Sequence, residues 1–242
     1  MIVAGWRTAT VDSVVPANPH ARVLRLSVPG WPGNDPGQHV DIRLTAEDGY
    51  QAVRSYSLAS SGSDASIELA VDEVPDGEVS PYLVHDVMAG DELEVKGPLG
   101  GYFVWRGGDD RPVQLIAGGS GVVPLVGIAR ARFGASERSA SAFRMLYSVR
   151  TAADALYRDE LSSLAAQGLD LTWAYTRAAP DGWDGAVGRL GDASIAASVW
   201  PPDRRPVIYV CGPTGFVEHV ADALVRAGHD ATGIKTERFG GS

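Results

Sequence analysis

The chain has 242 residues, 45% of them apolar and 21% charged, enough to bury one large core or two of ordinary size. It carries 30 acidic and 21 basic residues, a net charge of −9, which argues against nucleic acid or an anionic membrane surface as partner. The single cysteine, Cys211, excludes an internal disulfide framework, a multi-cysteine zinc site and a protein-ligated iron–sulfur cluster. It fits a reducing, cytoplasmic compartment.

The charge is unevenly spread. Residues 1–110 hold 7 Lys+Arg against 17 Asp+Glu, a net −10, whereas residues 111–242 hold 14 against 13, a net +1. Such a step suggests two domains with different ligands or neighbours. Met1–Ser13 lacks a basic segment followed by an apolar run, so no signal peptide is expected. The longest uncharged stretch, Pro112–Ala129, contains four glycines and Pro124 and is too short and broken to span a membrane.

In chain order, the first half reads as strands. Thr8–Val15, Val23–Val28, His39–Leu44, Arg54–Leu58, Ser66–Val71 and Glu92–Val95 are short and separated by Gly/Pro/Asp turns, and several alternate apolar and polar residues. They predict an N-terminal antiparallel six-stranded Greek-key barrel over residues 1–108. A helix over Pro81–Val87 interrupts them, with Ser80 as its N-cap and Pro81 at its first position.

The second half changes rhythm. Val113–Ala117 reads as a buried strand, followed by a glycine-rich turn and a helix from Pro124 to Phe133. Arg144–Val149 is a strand, Ala155–Ala166 a helix, Leu169–Tyr175 a strand, Val207–Cys211 another, and Thr214–Ala227 a helix. Alternation of this kind predicts a parallel-sheet α/β domain with helices on both faces, over residues 109–242. The boundary is expected near Gly107–Arg111, where the charge also steps.

Five strings could carry chemistry. Arg54-Ser55-Tyr56-Ser57 places a guanidinium and an aromatic ring on one face of a strand, as a phosphorylated ring cofactor would need. Gly77-Glu78-Val79-Ser80-Pro81 puts a glycine before a helix start, whose free N–H groups suit a pyrophosphate. Gly118-Gly119-Ser120-Gly121-Val122-Val123-Pro124 follows a buried strand and opens a helix, the context of a dinucleotide loop with proline in place of the third glycine. Cys211-Gly212-Pro213-Thr214 ends the last long apolar strand, where parallel sheets bind ligands. The fifth is the tail Thr236-Glu237-Arg238-Phe239. Taken singly, these strings also fit a plain strand, a capped helix, a tight turn, a buried small side chain and a loose terminus.

Their order is more specific than any one of them. R-x-Y-S, G-x-x-S, G-P-x-G, G-G-x-G-x-x-P, C-G-P and E-R-[aromatic] follow one another from Arg54 to Phe239. This closely resembles the ferredoxin–NADP reductase family of two-domain flavoproteins, without an iron–sulfur domain. The resemblance implies FAD on the barrel and NADP or NAD on the α/β domain. It implies that Arg54 pairs with the FAD pyrophosphate, Tyr56 stacks on the isoalloxazine and Ser57 hydrogen-bonds near flavin N5. Val79 and Ser80 would present backbone and hydroxyl to the pyrophosphate, and Gly97-Pro98-Leu99-Gly100 would be a turn packing beneath the flavin. Gly119, Gly121 and Pro124 would shape the pyridine-nucleotide pyrophosphate site. Cys211 and Gly212 would sit near the nicotinamide, and Glu237 and Phe239 would close over the flavin face. Ser57, Cys211 and Glu237 are thereby the catalytic candidates, and no metal is expected.

Two features depart from the family pattern. Asp72-Glu73 stands where many relatives carry a basic residue, and the tail ends Phe239-Gly240-Gly241-Ser242 without a terminal tyrosine or tryptophan. NADPH is favoured over NADH because its 2′-phosphate needs cations, and Arg150, Arg177 and Arg189, with the Ser148 hydroxyl, follow or lie near predicted strand ends.

The function expected is hydride transfer from NAD(P)H to flavin N5, with electrons passed to a separate small redox protein such as ferredoxin. An NAD(P)H-dependent reductase of free flavin, quinone or a ferric complex is the alternative, and a non-catalytic nucleotide-binding module the remote one. Ferredoxins are acidic, so an acidic barrel points to a less acidic acceptor or to docking through the second domain. Oligomeric state is not legible.

Overall fold

A computed structural model describes residues 5–108, 110–134 and 141–240. Residues 1–4, Asp109 in the expected boundary segment, and the tail residues Gly241 and Ser242 lie outside the described residues. The chain divides into two compact units, Met1–Arg106 and Gly107–Ser242.

The first unit is built from β1 (Trp6–Asn18), β2 (Ala21–Ser27), β3 (His39–Thr45), β4 (Gln51–Ser57), β5 (Ser66–Asp72) and β6 (Glu92–Leu99). They form a six-stranded sheet in the order β4-β3-β6-β1-β2-β5, antiparallel at every pairing. The bridge Leu58↔Leu69 ties the chain just after β4 to β5 and closes the sheet on itself. Closure works because alternate residues face inward: Leu24, Leu26, Val40, Ile42, Ile67, Leu69, Leu93 and Val95 make one buried cluster.

Two local expectations differ from the structure. The helix α1 runs Ser80–His85, so Ser80 is its first residue and not its cap. The cap position falls to Val79, and the Ser80 hydroxyl instead accepts the Val74 N–H at 3.0 Å, stitching the preceding loop to the helix. Gly97-Pro98-Leu99 is not a turn but the end of β6, with Leu99 paired to His39; only Gly100 leaves the strand.

The second unit comprises β7 (Val113–Gly118), α2 (Val122–Gly134), β8 (Phe143–Val149), α3 (Arg158–Ala166), β9 (Asp170–Tyr175), α4 (Asp192–Ser198), β10 (Val207–Pro213), α5 (Thr214–Arg226) and β11 (Ile234–Phe239). Its sheet is wholly parallel in the order β11-β10-β7-β8-β9. Ile195, Val217, Val220 and Leu224 of α4 and α5 pack on Ile116, Leu146, Ile208 and Val210. Among the described residues, no helix is long and apolar enough to cross a membrane.

Here too the expected bounds shift for physical reasons. A single tight turn over Gly119–Gly121 lets α2 start at Val122, two residues before Pro124. The segment 155–157 is not helical. Thr151 and Asp154 form a capping box around a short turn, Ala155 is extended, and α3 begins only after Tyr157. The helix α4 and the strand β11 were not expected.

Candidate functional site

On the barrel, β4 sets the spacing. Arg54 stands opposite Ile42, Tyr56 opposite Val40 and Ser57 opposite His39 in the ladder to β3. Tyr56 packs its ring against the barrel core, and burial pushes its phenol up. Ser55, on the other face, donates its hydroxyl to Asp41 at 2.6 Å. His39 is half-buried, its imidazole pKa lowered by that burial, and a Cβ on Gly100 would lie 3.1 Å from its Nδ1.

Arg54 is exposed and ion-paired with Glu78 of the Gly77–Ser80 loop. It also donates from Nη1 to the Val53 carbonyl at 2.8 Å. Glu78 accepts the Tyr50 hydroxyl at 2.5 Å, and that bond together with Arg54 holds its carboxyl below the usual range. The loop is tight, since a Cβ on Gly77 would lie 2.9 Å from the Val74 carbonyl oxygen. Val79 is wholly buried, and Ser80 keeps its O–H proton available beyond the bond it accepts. A guanidinium for phosphate, a packed ring for stacking and a hydroxyl at the strand end form a donor set that fits FAD.

In the second unit the strand order reverses between β7 and β10, so the crevice at their carboxyl ends is the expected ligand position. The glycine turn sits there. A Cβ on Gly121 would meet the Cys211 carbonyl oxygen at 2.2 Å, so only glycine lets this turn lie on the end of β10. Gly118 and Gly212 form a floor under Phe216, whose ring atoms would be 2.7 and 2.8 Å from added Cβ atoms. Pro124 is buried in the first turns of α2, a 13-residue helix whose positive end follows Gly119 and Gly121. These features fit a dinucleotide pyrophosphate.

A cavity of about 760 Å³ opens beside this floor. Ser148, Arg150, Arg177 and Arg189 all line it, although they come from three separate strand ends and loops. Gly119, Gly121, Pro124, Cys211 and Gly212 do not line it, but Phe216 lines it and rests on Gly118 and Gly212. Thr176, Phe216 and His219 also line it and were not expected. Their only sequence signal is position, immediately after β9 or within α5.

Cys211 is buried and in register with Glu237 of β11. Burial pushes the thiol up, and the Glu237 charge adds to that. Burial likewise raises Glu237 to about 7. Phe239, by contrast, is 38% exposed. Among the described residues, no group of three or more His, Cys, Asp or Glu is placed to hold a metal ion.

Fold and site together define a two-unit oxidoreductase of flavin and pyridine nucleotide. Residues 10–104 match the oxidoreductase FAD-binding domain family, and residues 115–222 the oxidoreductase NAD-binding domain family. The chain is 33% identical over 210 residues to the glycine betaine monooxygenase reductase subunit of Chromohalobacter salexigens, covering 85% of this chain and 56% of that protein. It is 30% identical over 201 residues to NADH-cytochrome b5 reductase 1 of Aspergillus terreus, covering 80% and 67%. In structure it resembles the flavohem-like FAD/NAD-binding domain of nitric oxide dioxygenase from Vibrio cholerae, with a TM-score of 0.84 at 26% identity over 97% and 99% of the two chains. The chain spans about half to two-thirds of the length of the curated relatives it matches. It belongs to the ferredoxin–NADP reductase-like family of NAD(P)H–flavin oxidoreductases, whose cofactors are FAD and a pyridine nucleotide.

Proposed function

We propose that the protein takes hydride from NAD(P)H, with NADPH preferred, and passes the electrons through FAD to a separate redox protein. Residues 1–108 serve as the FAD domain and 109–242 as the nucleotide domain. When bound, FAD accepts a hydride at N5 and releases electrons one at a time. The chain's own work is binding, orientation and proton handling. Arg54 pairs with the FAD diphosphate, Tyr56 lies under the flavin ring, and Ser57 holds a hydrogen bond near N5. Val79 and Ser80 face the diphosphate through backbone and hydroxyl. Gly119, Gly121 and Pro124 shape the nucleotide diphosphate site, Gly212 and the neutral Cys211 present a small surface to the nicotinamide, and Glu237 holds a proton. Phe239 is the aromatic ring available to cover the flavin. A cytoplasmic site of action accords with the lone cysteine.

The observation that carries NADPH preference is the convergence of Arg150, Arg177 and Arg189 with Ser148 on one cavity. The test is kcat/KM for both nucleotides in Arg150→Ala and Arg177→Ala. A loss of about tenfold or more for NADPH alone supports the reading, because a planar guanidinium paired with phosphate is worth at least that. Equal losses for NADH and NADPH overturn it.

For the acceptor, support comes from two similar proteins, named as a monooxygenase reductase subunit and a cytochrome b5 reductase. The net −10 over residues 1–110 favours an acceptor less acidic than ferredoxin. Rates with an acidic ferredoxin should rise as salt screens repulsion; rates that fall overturn that preference. Free flavin, quinone or a ferric complex reduced as fast as any protein partner would mark the small-acceptor alternative.

A further inference from the structure

Arg54 already has an anionic partner from its own chain. Its Nη2 donates to Glu78, a residue of the short loop between β5 and α1. That loop has little freedom: Gly77 has no room for a Cβ, Val79 is wholly buried, and Ser80 is bonded to Val74. The Glu78 backbone is thus anchored on both sides while its side chain reaches β4. From the turn before β4, the Tyr50 hydroxyl donates to the other carboxylate oxygen at 2.5 Å, so the group is clamped between a cation and a phenol. A cavity of about 490 Å³ beside it is lined by Tyr50, Glu78, Glu92 and Glu94 as well as Arg43. Arg43 is itself bonded to Glu94 at 2.9 and 2.5 Å. Arg43, which lines the cavity, and Arg54, which pairs with the lining residue Glu78, are thus each matched by a carboxylate.

We propose that Glu78 is a built-in competitor for the FAD diphosphate, an anion that holds Arg54 and yields it when the cofactor binds. The inference rests on the reading of Arg54 as the diphosphate's partner. Two anions cannot share one guanidinium without bringing like charges together, so loading FAD exchanges a carboxylate for a diphosphate on Arg54. FAD is consequently held more weakly than the same barrel would hold it without this carboxylate, and it exchanges with the free pool more readily.

The expectation runs opposite to the usual effect of deleting a polar group at a cofactor site. Flavin-stripped protein is titrated with FAD, and the dissociation constant is read from flavin fluorescence. Glu78→Gln should tighten FAD by about fivefold, the worth of one partly exposed ion pair. Tyr50→Phe, which loosens the clamp without changing charge, should tighten it by about twofold. Glu92→Gln removes the same charge from the same cavity without touching Arg54, and it should change affinity by less than about twofold. Unchanged or weaker FAD binding in folded Glu78→Gln overturns the proposal, as does equal tightening in Glu92→Gln, which would make the effect one of bulk charge. Arg54→Ala separates the layers. If it leaves FAD affinity unchanged, the diphosphate reading of Arg54 fails. If it weakens FAD while Glu78→Gln has no effect, only the competitor fails.

Discussion

Cys211 on β10 and Glu237 on β11 are register partners across two parallel strands. Burial keeps the thiol protonated throughout the physiological range, and burial lifts the carboxyl to about 7. The pair is a small neutral surface beside an acid that holds its proton near neutrality, an arrangement suited to passing a proton and not to nucleophilic attack.

In the proposed function Glu237 holds a proton, which predicts a pH limit. Where its protonated form is required, kcat for dye reduction should fall as pH rises through about 7. Glu237→Gln should lower kcat and abolish that break. The same raised value has a stability sign. The protonated carboxyl favours the folded state below the unfolded value near 4.5, and that contribution is lost as pH rises toward 7. Thermal unfolding at pH 5 and pH 8 should thus differ less in Glu237→Gln than in the native chain.

His219 of α5 donates from Nε2 to the Leu190 carbonyl at 2.7 Å. Two turns later Arg226 grips Asp192 at 2.8 and 3.0 Å, and Gly188 N–H is bonded to the Tyr175 carbonyl at 2.9 Å. Arg189 is thus carried on a segment held at both ends and in the middle. His219→Ala should raise KM for NADPH by about threefold, the loss expected for one hydrogen bond, with KM for NADH and kcat nearly unchanged. Parallel increases for both nucleotides would show that His219 acts on the site as a whole.

Gly121 has no room for a side chain. Gly121→Ala should cost about 1–3 kcal/mol by overpacking against the Cys211 carbonyl, which cannot move without disturbing the β7–β10 ladder. Chemical denaturation measures the cost, and KM for either nucleotide should rise with it. Full stability in the alanine variant would mean that the turn relaxes away from β10.

His229 is buried, and among the described residues its Nε2 has no hydrogen-bond partner. Burial lowers its pKa below 6.5, so the stability it permits is present above that value and is lost as pH falls below it. His229→Leu removes an unsatisfied polar atom and should stabilise the second unit by about 1 kcal/mol at pH 8, and by more at pH 5. Urea unfolding at the two values decides it.

The barrel strands were legible because one wall faces a core and the other water, so Val23–Val28 and His39–Leu44 carry the period of two in their side chains. The glycine turn was legible because close approach admits so few residues. Other parts left no such trace. Strand β11 buries only Ile234 fully; Lys235, Thr236, Glu237 and Arg238 join a sheet because β10 offers them a ladder, which no local pattern announces. Helix α4 is seven residues long with Ile195 alone buried, too short for a periodic signal. Ser80 followed by Pro81 looks like a cap in sequence, yet its hydroxyl is taken by the loop before it. Glu78 stood at a variable position of a recognised string, and only folding showed that it reaches Arg54. Likewise Arg150, Arg177 and Arg189 were each visible, but their meeting on one cavity is a product of strand order.

The residue that faces Cys211 is chosen by counting. Between α5 and β11 the chain crosses a loop pinned by His229 N–H to the Leu224 carbonyl and by the Asp230 side chain to Thr232 N–H. Lengthen or shorten it by one residue and the ladder re-forms with Thr236 or Arg238 beside the thiol, while the carboxylate turns to the opposite side of the sheet. The stretch from Gly228 to Gly233 works as a ruler: its length delivers the acid to its place.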